Sequence, residues 1–159
     1  LWPGYEKPAS DKTVYQDMGY CTAMLKISIS LDLEDGPPDP LDLLGDVVIF
    51  DGQSTMTLET TFVDVWLVAL IDALPRLQSV EHVVVEAEEP VPLRVDVDSE
   101  GSLLISNGHG AVVARTISEL QTAIREAAGE LLNATRDIPN IETNPDLVVI
   151  RQFYRSRAN

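Results

Sequence analysis

Short turns punctuate this chain, and they decide how its strands can pair. Asp51-Gly52, Glu88-Glu89-Pro90-Val91, Ser99-Glu100-Gly101 and Asn107-Gly108-His109-Gly110 each separate two stretches rich in apolar residues. Turns this tight reverse the chain, so the strands on either side run antiparallel; a parallel pair would need a crossover of roughly a dozen residues. The clearest strand comes first. Leu25, Ile27, Ile29, Leu31 and Leu33 alternate with Lys26, Ser28, Ser30, Asp32 and Glu34, the period of a strand with one buried and one wet face. Further strands are predicted over 46–50, 53–61 (with Met56 and Leu58 inward), 81–88, 92–98, 102–106 and 111–115. Residues 35–45 hold three prolines and two glycines and read as a loop.

Three segments switch to a helical period. Phe62, Trp66, Leu70, Leu74 and Leu77 form an apolar stripe that predicts a helix over 62–78. Thr61 is its expected N-cap, Asp64 its first-turn acid, and Pro75 should kink or loosen its last turn. Thr116 and Glu119 form a capping box for a helix over 117–133. Asn144-Pro145-Asp146 reads as N-cap, proline and acid opening a helix over 145–155.

The order β, ββ, α, ββββ, α, α predicts a two-layer α+β fold. Its sheet should be mostly antiparallel, of about five to seven strands, with two or three helices on one face. A length of 159 residues, 45% of them hydrophobic, fits one domain with a real core; it is assigned to 24–159. Residues 1–23 show no period. They read as an N-terminal extension (disordered, a processed leader or a remnant foreign to the domain), or else as an arm docking through Trp2, Tyr5 and Tyr15.

Charge is distributed unevenly along this frame. Residues 32–100 hold 17 of the 26 acids and only two bases, Arg76 and Arg94, which matches the formal charge of −15 on the whole chain. A field of that sign attracts cationic partners and repels nucleic acid and anionic membranes. No apolar run approaches the roughly 20 residues of a membrane span, and the first residues lack the apolar core of a secretory signal. The single cysteine, Cys21, cannot form an internal disulfide. A cytoplasmic protein, or one indifferent to redox state, is expected.

Strand alternation places Asp32, Glu34, Glu59, Glu86, Asp96 and Asp98 on outward positions of four strands. If those strands are neighbours, one sheet face becomes an acidic plate, although solvated strands carry charge for solubility alone. Other constellations are weaker. Asp96-Val-Asp98-Ser-Glu100-Gly101 half-matches a calcium loop, but Asn107 stands where the bidentate Glu belongs, and a plain β-turn explains the pattern. His82 and His109 have no metal-ligand spacing. Glu86, Glu88 and Glu89 form no recognisable acid–base pair, and no phosphate-binding or nucleophile motif occurs. Arg151, Phe153, Tyr154, Arg155 and Arg157 make the C-terminus basic and aromatic. Pinning of the last helix to the core is the expected role there.

These observations point to a non-catalytic binding protein, not an enzyme, with neither cofactor nor metal. Its acidic surface would grip a basic protein, after the manner of an immunity or inhibitor protein that occludes a cationic target; this is analogy of charge, not of motif. The alternatives are a homo-oligomeric assembly module that associates through a sheet edge or the tail, and a small enzyme or calcium-binding domain using Asp96, Asp98 and His109.

Overall fold

A computed structural model describes residues 24–87 and 92–156. The expected extension at 1–23, the turn predicted at 88–91 and Arg157 lie outside the described residues. The elements are β1 (Lys26–Leu31), β2 (Leu44–Phe50), β3 (Thr55–Phe62), α1 (Val63–Leu77), β4 (His82–Val85), β5 (Leu93–Val97), β6 (Leu103–Ser106), β7 (Ala111–Ala114), α2 (Ile117–Thr135), a 3₁₀ turn at Ile141–Thr143, and α3 (Pro145–Arg155). The architecture is α+β, and every strand pair is antiparallel.

The strands form two sheets rather than the single sheet expected. β1-β2-β3 makes one, and β4-β5-β6-β7 the other. Between β3 and β7 a side chain takes the place of a hydrogen-bonded ladder. Asp51, at the β2–β3 turn, accepts the Val113 N–H of β7 on Oδ2 at 2.9 Å, while its Oδ1 accepts from Gln53 and Ser54. Gly110 lies against Thr55 and Met56 at the same seam. Hydropathy cannot report this break, because both sheets turn their apolar residues to one shared core.

All three helices cover that inner side. Trp66, Leu70, Leu74 and Leu77 of α1 are buried as the stripe predicts, together with Val63 and Leu67. Pro75 lies in the last turn of α1, where it removes one ladder donor. Past the end, Ser79 N–H closes on Arg76 O over only three residues. In α2, Glu119 N–H donates to Thr116 Oγ1 as a capping box requires. The Glu119 carboxylate, however, accepts from Arg115 N–H and from Leu25 N–H, tying α2 to the start of β1. Arg125 of α2 lies over the Phe153 ring at 5.0 Å. It donates to the Phe153, Tyr154 and Ser156 carbonyls, closing the C-terminus of α3 from outside that helix.

Strand ends moved where backbone hydrogen bonding ran out. β1 stops at Leu31 although its alternation continues to Glu34, because β2 begins at Leu44 and offers nothing opposite 33–34. The N-cap of α1 is Phe62, without a side-chain bond, rather than Thr61. Thr61 is instead buried as the last inward residue of β3, where it accepts from Trp66 Nε1 at 2.7 Å.

Candidate functional site

The acids that come together do so at one end of the first sheet. The β1–β2 loop carries Asp32, Glu34, Asp35, Asp39 and Asp42 with no base among them. Its prolines exclude ladder pairing, and its aspartates build turns instead. Asp32 Oδ1 accepts from Glu34 N–H and Asp39 Oδ1 from Leu41 N–H, the short-range bonding for which Asp is suited. The loop is also anchored. Asp32 N–H donates to Leu44 O, Leu43 is fully buried with its carbonyl accepting Val63 N–H, and Pro40 O accepts from Asn144 Nδ2 at 2.8 Å. Two leucines are nevertheless left in water amid the acids, Leu33 at 61% exposure and Leu41 at 58%.

A β-bulge adds two more carboxylates. Val47 pairs with Leu58 and Gly45 with Thr61, so β3 holds one residue more than β2 across this interval. Thr60 takes a left-handed φ of 50°, and the Asp46 carboxylate accepts its N–H at 2.8 Å. The extra residue turns both Glu59 and Thr60 outward and flips Thr61 inward. Gly45 is required here, since a Cβ on it would lie 1.9 Å from Ser30 O. Ser30, Asp32, Glu34, Asp46 and Thr60 line a shallow cleft of about 340 Å³.

The other expected acids lie elsewhere. In the second sheet Asp96 faces His82 and pairs with Arg94 at 3.0 Å. Asp98, just past the end of β5, accepts from Glu100 and Ser102 N–H and closes the β5–β6 turn. Glu86 follows β4, at the opposite end of that sheet from Asp98. The six candidates therefore fall into separate groups: Asp32, Glu34 and Glu59 about the bulge, Asp96 with Asp98, and Glu86. The sheet face itself is nearly balanced in charge. Its outward strand positions carry Lys26 and Arg94 against Asp46, Glu59 and Asp96.

The calcium-like segment is a turn, with Gly101 at a φ of 87° and the Asp98 carboxylate used internally. Among the described residues no group of three or more His, Cys, Asp or Glu could hold a metal ion. His109 lies in a turn organised by buried Asn107, whose Oδ1 accepts from His109 and Gly110 N–H. Cys21, Glu88 and Glu89 lie outside the described residues. Among the described residues no helix is long and apolar enough to cross a membrane.

Sequence reasoning missed Asp64, which is 2% exposed. Asn144 both caps α3, accepting from Asp146 and Leu147 N–H, and donates to Asp64 Oδ2 at 3.0 Å. Asp64 Oδ1 has no hydrogen-bond partner. Burial pushes this carboxyl above its usual range; the Asn144 bond opposes the rise and nearby Asp146 adds to it. The place of Asp64 in the first turn of α1 is as the sequence predicts, but no local signal distinguishes a solvated first-turn acid from a buried one.

The chain matches no protein-family model, and no curated protein or solved structure matches it.

Proposed function

We propose that this is a non-catalytic binding protein that grips a basic protein through the acidic end of its first sheet. The observation that carries the reading is the convergence of Asp32, Glu34, Asp35, Asp39, Asp42, Asp46 and Glu59 on an anchored loop and bulge whose sequence, from 32 to 62, holds no Lys or Arg. Exposed Leu33 and Leu41 supply apolar contact within the charged field, the arrangement in which a few desolvated side chains anchor a complex that charge has steered. An inhibitor or immunity protein blocking a cationic target would use such a surface.

Several loop aspartates hold turns, so substitution must separate charge from structure. Glu34, Asp42 and Glu59 are exposed, and their side chains accept no hydrogen bond among the described residues. Replacing all three by Lys should leave the melting temperature nearly unchanged. A basic protein captured from source lysate at low salt should elute at high salt and fail to bind the triple variant. Equal capture by wild type and variant would refute the proposal.

A further inference from the structure

We infer that Asn144 is the positioning residue of the acidic loop, fixing from behind the place at which its carboxylates are presented. The inference rests on the reading of that loop as the binding surface. Residues 32–42 carry Asp32, Glu34, Asp35, Asp39 and Asp42 with no base, and like charges so dense drive one another apart. Pro37, Pro38 and Pro40 deny the segment a ladder. Among the described residues, the hydrogen bonds of residues 33–41 end within the loop itself, with one exception. Pro40 O accepts from Asn144 Nδ2 at 2.8 Å, across 104 positions of sequence. Asn144 is 1% exposed, so it meets no partner directly and acts through the loop.

Hydrogen-bond chemistry leaves this amide one orientation. The Asp146 and Leu147 N–H groups of α3 can only donate, so they take Oδ1. Pro40 O and the ionised Asp64 carboxylate can only accept, so both take Nδ2. A buried carboxylate is a costly way to hold an amide, and Asp64 Oδ1 has no partner at all. Stability is poorly served by that arrangement, whereas placement of the amide is well served. The bond to Pro40 likewise adds little stability, since water can replace it, but water does not fix the position of the carbonyl. A loop ordered in advance loses less entropy on binding than one ordered by contact.

The test exchanges the pair, Asp64→Asn with Asn144→Asp, in the full chain. Composition and net charge stay the same. A carboxylate at 144 still accepts at the α3 cap, and an amide at 64 can donate to it, but neither oxygen at 144 offers an N–H to Pro40 O. Nitrogen-15 relaxation should give order parameters at Asp39, Leu41 and Asp42 of about 0.85 in wild type and below about 0.6 in the exchanged variant, with the strands unchanged. Asn144→Ser, which keeps only the cap, should release the loop in the same way and decides the matter if the exchange prevents folding. Thr116→Ala lowers stability at a distance and should leave the loop ordered. A basic protein captured from lysate by wild type should bind the exchanged variant about tenfold more weakly at equal charge. A loop already mobile in wild type, or one that stays ordered in these Asn144 variants, would overturn the inference, as would equal affinity in a variant whose loop is released. A loop that behaves as expected while wild type captures no basic protein would sustain the anchor and sink the binding reading, so the two fail separately.

Discussion

Replacing Asn144 should cost far more than removing a helix cap. Its Oδ1 accepts the first two free N–H groups of α3, and its Nδ2 donates to Asp64 and Pro40. The cap alone accounts for about 1 kcal/mol. Asn144→Ala also takes from Asp64 the side-chain donor on Oδ2, when Oδ1 already has none. Orphaning a buried acceptor costs about 1–3 kcal/mol, and more for a charged one. Half-buried Pro40 O can rehydrate and is counted as nothing. The expected loss at neutral pH is therefore about 3–5 kcal/mol, a large share of the roughly 5–15 kcal/mol of a typical domain.

Urea unfolding followed by circular dichroism measures this loss, and two controls apportion it. Thr116→Ala removes only a cap, that of α2, and should cost about 1 kcal/mol. Asn144→Ser can keep the cap but not the reach to Asp64, and should fall between the two. The penalty should also depend on pH. The folded-state pKa of Asp64 is raised, so its neutral form is the one the fold prefers. The cost of its charge is absent below the unfolded pKa, near 3.8, and grows as pH rises through the folded pKa. Losing the Asn144 bond raises that pKa further, so the Asn144→Ala penalty should shrink on acidification from neutral to about pH 4. A penalty no larger than that of Thr116→Ala, constant with pH, would refute the account of the buried carboxylate.

Two further outcomes follow from the strands. Thr60→Gly should stabilise by about 1 kcal/mol, because a β-branched residue at a φ of 50° is strained and glycine is not; thermal melting reads this directly. At Asp51, burial pushes the carboxyl up, but backbone donors from Ser54, Gln53, Val113 and its own residue outweigh it and leave the pKa lowered. The Asp51 contribution is thus present above its unfolded pKa of 3.8 and is lost as pH falls through the folded value. Hydrogen exchange at Val113 should accelerate in Asp51→Ala at neutral pH, whereas a protection factor matching wild type would mean that Asp51 does not join the sheets.

Periodicity and turn chemistry made most of the elements legible. The helix α3 begins and ends where Asn144-Pro145-Asp146 and the basic last turn place it, because capping is decided within one turn of chain. What stayed hidden depended on residues distant in sequence. The seam at Asp51 rests on a contact with Val113, 62 residues away. The Asp64–Asn144 bond spans 80. The bulge at Thr60 inverts the inward sense of the next residue, and only pairing with β2 reveals it. Alternation thus held along the described strands except at the bulge, and it carried no information on whether the outward acids of different strands lie side by side.

The chemistry of aspartate explains why the acidic excess misled in one respect and informed in another. Asp32, Asp39, Asp51 and Asp98 each accept a main-chain N–H within three or four residues of their own position, and Asp46 supports the bulge. A shorter side chain than Glu makes these bonds accessible, so part of the acidic run is the means by which a chain of many turns is folded. Glu34, Asp42 and Glu59 have no such duty among the described residues, and they lie where the turn-forming aspartates have already gathered negative charge. Turn formation alone would be served as well by asparagine, which keeps the accepting oxygen without the charge. Asp32→Asn, Asp39→Asn and Asp46→Asn together should therefore leave the fold intact, with the same urea midpoint as wild type. If these carboxylates serve binding, the same triple variant should lose salt-sensitive capture of a basic partner; retained capture would assign them to turn formation alone.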